Sequence, residues 1–315
     1  MINSPNIAIF NNKIDFLFIK FPIIFPLIYF MILILYPQFE NYLIFMTLLI
    51  LAEPHFGATW PFFISQANSN LLKKEKDIYI FIPIFLIFIS ILLFFYFDNL
   101  FYLLFFIFNI YHVTRQSAGV SKLYIKKKLK NLSFVNAAIY FFGIWFFLIG
   151  IVRFYFDSFG YELDSMIIFI SLFLLTLCLT LYGYFFKDSS NIFILMTGIL
   201  MFFPIAFVSK PIHGIIMGVT MHYTQYIALT YKVVTKRKED NFFKKFVNYK
   251  YVSVIIIYGL IMSVLSFTNQ LNNNILGHLI IIPILGQLLH FYLDGLLWKF
   301  DKSHNREATL KHLFD

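Results

Sequence analysis

The feature that most constrains this chain is a repeating one. Apolar stretches of about 20 residues, each closed by a short polar or basic loop, recur from one end to the other. A helix of that length spans the hydrocarbon of a bilayer, and it satisfies its own backbone hydrogen bonds where no water is present. Of the 315 residues, 60% are hydrophobic and 13% charged, more apolar surface than one soluble core of this length can hide. The expected fold class is all-α, a polytopic integral membrane helical bundle of about ten transmembrane helices. The stretches are 14–36, 42–64, 78–97, 100–124, 134–156, 166–186, 190–208, 211–233, 251–268 and 275–299. They make one transmembrane domain over 1–315, with short basic loops and a basic tail.

The loops carry a charge asymmetry. Lys73, Lys74 and Lys76, then Lys126, Lys127, Lys128 and Lys130, then Lys187, then Lys236, Arg237, Lys238, Lys244 and Lys245, then Lys302, Arg306 and Lys311, each follow an even-numbered stretch. Glu40, Asp98, Asp157, Glu162 and Asp164 follow odd-numbered ones, with Arg153 and Lys210 as the nearby basic residues. The positive-inside rule then places both termini in the cytoplasm, and the composition suits a bacterial inner membrane. The net charge of +9 reads as loops facing anionic lipid, with no nucleic acid as partner. Residues Met1 to Asn12 lack a basic start and a small-residue cleavage site, so no cleaved signal peptide is expected. Cys178, the single cysteine, excludes an intrachain disulfide and a thiolate metal cluster.

Polar groups are costly in hydrocarbon, so each one needs a partner or a task. Stretch 42–64 carries Glu53-Pro54-His55-Phe56-Gly57 and Thr59, and 100–124 carries His112, Arg115, Gln116 and Gly119. Stretch 211–233 carries His213, His222, Gln225 and Tyr226, and 275–299 carries His278, Gln287, His290 and Asp294. His55 and Thr59, then His112, Arg115, Gln116 and Gly119, then His222, Gln225 and Tyr226, then Gln287, His290 and Asp294 recur at three- and four-residue spacing, which puts each group on one helical face. His55, His112, His222 and His290 lie roughly 11–15 residues past the outer ends of their stretches, a depth spread of about 6 Å at helical rise. The expectation is one layer of imidazoles inside the bundle. His213 and His278 fall near the outer boundary, and His304 and His312 in the tail.

Imidazole is the commonest protein metal ligand, and several with a carboxylate suit iron, zinc or copper. The ligands expected are His55, His112, His222, His290 and Asp294, with Fe(II) as the metal and zinc as second choice. Glu53 is the other carboxylate able to coordinate or to orient a ligand histidine. Tyr226, Arg115 and Gln116 are the candidate catalytic residues, positioning substrate and shaping the electrostatics. Pro54 and Gly57 are placed to kink the helix beside His55. The reading from another class is a proton- or ion-coupled transporter or channel, using the same histidines with Asp294 and Arg115 as a relay.

The Pro-His-Phe-Gly at 54–57, with histidines spread over several membrane helices, resembles the Brp/Blh family of bacterial and archaeal β-carotene cleavage oxygenases. His222 resembles that family's later histidine region, and His290 with Asp294 its C-terminal segment. The resemblance implies a multi-span protein with histidine-bound iron that uses O2 to split a carotenoid. It thereby implies a membrane-embedded non-haem iron oxygenase with membrane lipid and an apolar, carotenoid-like substrate as partners. The chain departs from the family in having no histidine in its first stretch and Tyr226 four residues beyond His222. The His-x-x-x-His and His-x-x-His-His boxes of membrane desaturases are absent. Fusing a reporter that fluoresces only in the cytoplasm to the C-terminus tests the orientation. Fluorescence is expected, and a signal only from a periplasmic enzyme fusion contradicts it.

Overall fold

The computed structural model describes residues 9–124, 129–155, 161–186, 192–237, 247–268 and 277–314, and every regular element among them is helical. Seven helical segments are long and apolar enough to cross a membrane: Asn12–Leu35, Pro37–Phe63, Asp77–Tyr96, Leu132–Tyr155, Asp164–Phe186, Tyr249–Phe267 and His278–Leu297. By composition this is a multi-pass helical membrane protein. The remaining three expected stretches differ for physical reasons. Asp98–Tyr124 and Pro211–Lys236 are long helices, but their polar residues dilute the apolar content. Stretch 190–208 is not one helix. Its helix, Ile192–Ile199, gives way to a turn and the 3₁₀ segment Phe203–Ala206, where Pro204 supplies no N–H.

The chain divides into two compact units, residues 1–43 with 110–225, and 44–109 with 226–315. In the first unit, the irregular backbone after Ile199 is buried at Met201, Phe202, Ile205, Ala206 and Val208. Such backbone needs partners inside the protein. Arg153 supplies two of them, donating Nη1–H to the Ala206 carbonyl at 2.7 Å and Nη2–H to that of Val208 at 3.2 Å, while pairing with Asp164 at 2.9 Å. Gly218 of Pro211–Lys236 lies against the Met201 carbonyl, so close that a Cβ there would overlap the backbone oxygen.

Pro37–Phe63, which lies in the second unit from residue 44 onward, is continuous but irregular. A π-helical turn at Leu48–Ala52 precedes Glu53–Gly57, and Thr59–Phe63 follows. Pro54 removes one backbone donor, and the π turn just before it absorbs the change of register. Val247–Phe267 packs on this region through small residues. A Cβ on Gly259 would stand 2.9 Å from Pro54 Cγ, and one on Gly57 would stand 3.0 Å from Tyr258. The expected Pro54/Gly57 irregularity is therefore real, and it serves close helix approach.

At the other end of this unit, buried Arg237 donates to the carbonyls of Phe62 (2.7 Å) and Ala308 (2.8 Å) and to Ser65 Oγ (2.9 Å), with its guanidinium over the Phe62 ring. Lys232 donates to the Leu313 carbonyl at 2.8 Å. The basic tail is thus tied to the rest of its unit by charge-assisted bonds. Replacing Gly218 by Ala is expected to destabilise by about 1–3 kcal/mol, the usual range for overpacking. Gly183→Ala, which meets nothing within 4 Å, is expected to be neutral or stabilising. Thermal unfolding in detergent compares them, and equal midpoints contradict the packing described.

Candidate metal centre

The second unit gathers His55, Thr59, Tyr226, His290 and Asp294, all buried. Ile281–Leu297 places His290 and Asp294 one turn apart on its inner face, beside buried Leu293 and Leu297. Glu53–Gly57 and Thr59–Phe63 present His55 and Thr59 in the same way. The His55 ring lies 4.5 Å from that of His290 and 4.6 Å from that of Tyr226, centre to centre, and both contacts are edge-to-face. Phe56 closes against His290 at 5.1 Å. Further along, Trp298 stacks on Phe62 at 5.3 Å and touches Tyr226 at 6.1 Å.

Hydrogen bonds join four of these side chains into one chain. Tyr226 donates its hydroxyl to Asp294 Oδ1 at 2.6 Å. The Tyr226 oxygen also lies 3.0 Å from Thr59 Oγ1, and Thr59 Oγ1 lies 2.5 Å from His290 Nδ1. Each hydroxyl has one proton, so the order follows. Tyr226 gives its proton to the carboxylate, Thr59 therefore gives its own to Tyr226, and His290 Nδ1–H gives to Thr59. The tautomer is assigned from this order of donors. It leaves the lone pair of His290 Nε2 on the side facing Asp294 Oδ2, 3.8 Å away.

That pair of atoms has the chemistry of a metal site. An imidazole nitrogen beside a carboxylate oxygen in a dry interior is a donor pair suited to a metal ion. Ligands that share an ion at about 2.0–2.2 Å stand roughly 3–4 Å apart, and the His290–Asp294 separation falls in that range. A hydrogen bond from the other ring nitrogen is the usual companion of a ligand histidine, and Thr59 provides it here.

The first unit holds His112, His213 and His222, whereas His278 lies in the second. His112 of Asp98–Tyr124 and His222 of Pro211–Lys236 are both buried, with ring centres 6.3 Å apart and an edge-to-face angle of 81°. Gln225 turns to the backbone and donates to the Ile19 carbonyl at 2.9 Å. The π turn Phe16–Lys20 runs directly into a 3₁₀ turn carrying Pro22, which interrupts the regular backbone bonding around that carbonyl. Arg115 and Gln116 are half-buried. His213 is buried: Nδ1 accepts the Tyr29 hydroxyl at 2.8 Å, and Nε2–H donates to Glu40 at 2.9 Å. Lys210 holds both Glu40 oxygens, at 2.7 and 2.8 Å. His278 rests on Phe94 and Phe95.

Two groupings escaped the sequence. Gln287 shares a helical face with His290 but bonds Glu53 instead, and Ser266 joins it there. Thr59 was legible only as a neighbour of His55, although it is the link that orders the chain. No family model, curated protein or solved structure matches this chain. Tyr226→Phe is expected to destabilise by about 1–3 kcal/mol, because Asp294 Oδ1 and Thr59 lose a buried partner. Chemical or thermal unfolding checks this, and an unchanged stability contradicts the bonded chain.

Proposed function

We propose that this protein is a membrane-embedded, histidine-ligated metalloenzyme, a non-haem iron oxygenase acting on an apolar lipid or carotenoid-like substrate. The observation that carries the reading is His290 Nε2 facing Asp294 Oδ2, with His290 Nδ1 tied through Thr59 and Tyr226 back to the same carboxylate. We keep His112 as a third proposed ligand on the ground of its depth and helical face in the sequence. His55, edge-on to His290, and His222, edge-on to His112, complete the proposed imidazole set. Two imidazoles and a carboxylate suit non-haem Fe(II), with zinc the second metal, and iron in such a site supplies O2 binding at open coordination positions.

The protein's own residues do the rest. Tyr226 holds Asp294 in orientation, and Thr59 fixes the His290 ring. Phe56, Phe62 and Trp298 surround the buried groups and keep water from them. The half-buried Arg115 and Gln116 stand one turn from His112 and are proposed to position substrate near it. The substrate enters from lipid, consistent with the apolar composition of the seven candidate spans. The proposed setting is a bacterial inner membrane with both termini cytoplasmic.

Metal analysis of the purified chain tests this. About one iron per chain is expected. His112→Ala, His290→Ala and Asp294→Ala are each expected to reduce it at least tenfold while helical content stays unchanged. Tyr226→Phe is expected to keep the iron and lose O2 consumption with an apolar substrate. Metal-free wild-type protein, or full iron in all three ligand variants, contradicts the proposal.

A further inference from the structure

Glu53 is fully buried in the second unit, and its charge has no evident counterpart. Its Oε1 receives Ser266 Oγ at 3.2 Å and Gln287 Nε2 at 3.3 Å, both neutral donors. Its Oε2 is enclosed and has no hydrogen-bond partner. Among the described residues, no Lys, Arg or His pairs with this carboxylate. An isolated carboxylate in a dry interior carries a desolvation penalty of several kcal/mol even after relaxation. Something of charge +1 must neutralise it.

The donors around Glu53 point to what that is. Ser266 offers a hydroxyl oxygen. Gln287 offers a carbonyl oxygen once its amide is turned over, an exchange that leaves the side-chain shape unchanged. With the carboxylate, this makes an all-oxygen set, the preference of hard cations rather than of metals that favour imidazole or thiolate. The spacing agrees. Oxygens sharing an ion of calcium's size, at roughly 2.3–2.6 Å, stand about 3.3–3.7 Å apart at octahedral angles. Of the Glu53 separations, 3.3 Å lies at the near edge of that range and 3.2 Å just below it. A calcium ion would leave one positive charge uncompensated, whereas sodium has nearly the same radius and balances a single carboxylate. The π turn Leu48–Ala52 directly before Glu53 sets the rotation that aims it at Ser266 and Gln287.

We propose that Glu53, Ser266 and Gln287 form a sodium site inside the membrane-spanning part of the second unit. This goes beyond the oxygenase reading and does not depend on it, since the iron measurement uses different residues and a different readout. Sodium there ties Glu53–Gly57 to Val247–Phe267 and Ile281–Leu297, the helices that carry His55 and His290 among them.

The test is thermal unfolding of the purified full-length chain in detergent, titrated with sodium chloride against choline chloride at constant ionic strength. The wild-type midpoint is expected to rise with sodium and to follow a saturating curve. The folded-to-unfolded ratio gains about 100-fold when sodium reaches about 100 times its Kd. Glu53→Gln keeps the shape, removes the charge and is expected to abolish the response. If Glu53→Gln does not fold, Ser266→Ala serves instead, and its curve is expected to shift at least fivefold toward higher sodium. Identical wild-type unfolding in sodium and choline overturns the site and leaves a proton as the neutralising charge. An unaltered sodium response in Glu53→Gln, or in Ser266→Ala, also overturns it.

Discussion

The structure depends most on one ordered run of hydrogen bonds: His290 to Thr59, Thr59 to Tyr226, and Tyr226 to Asp294. In water such bonds are worth little net, because the solvent competes for every donor. Inside an apolar helical unit water competes far less, and each bond weighs more. The run fixes the ring of His290, its tautomer and the orientation of the carboxylate four residues later. It also brings His290 Nε2 to 3.8 Å from Asp294 Oδ2.

Much of this was legible in the sequence, and the residues show why. Helical periodicity put His290 and Asp294 on one face, and His55 and Thr59 on another, because side-chain spacing on a helix is geometric. The apolar stretches identified a membrane protein for the same reason. Partner choice was not legible. A Thr inside a helix most often bonds the backbone of its own preceding turn, as Thr176 and Thr180 do here. Nothing local distinguishes Thr59, whose partners lie 167 and 231 residues away.

The helix break after Ile199 illustrates the same limit. Residues 190–208 are apolar enough to read as one span, and Pro204 alone does not forbid a kinked helix. What sustains the break is Arg153, some fifty residues earlier, which satisfies two carbonyls that a helix would have bonded internally. The Met201 carbonyl resting on Gly218 adds close packing that only a residue without Cβ permits. Glu53 is a comparable case. It read as an alternative ligand beside His55, yet its bonds run to Ser266 and Gln287, and Asp294 is the carboxylate that faces an imidazole.

Nitrogen NMR of histidine-labelled protein reads the protonation pattern of the His290 ring directly. With metal removed, His290 is predicted to show a protonated Nδ1 and a bare Nε2. Restoring iron is predicted to shift or broaden the Nε2 resonance alone. A His290 protonated at Nε2, or doubly protonated and paired with Asp294 as an ordinary ion pair, would contradict the account.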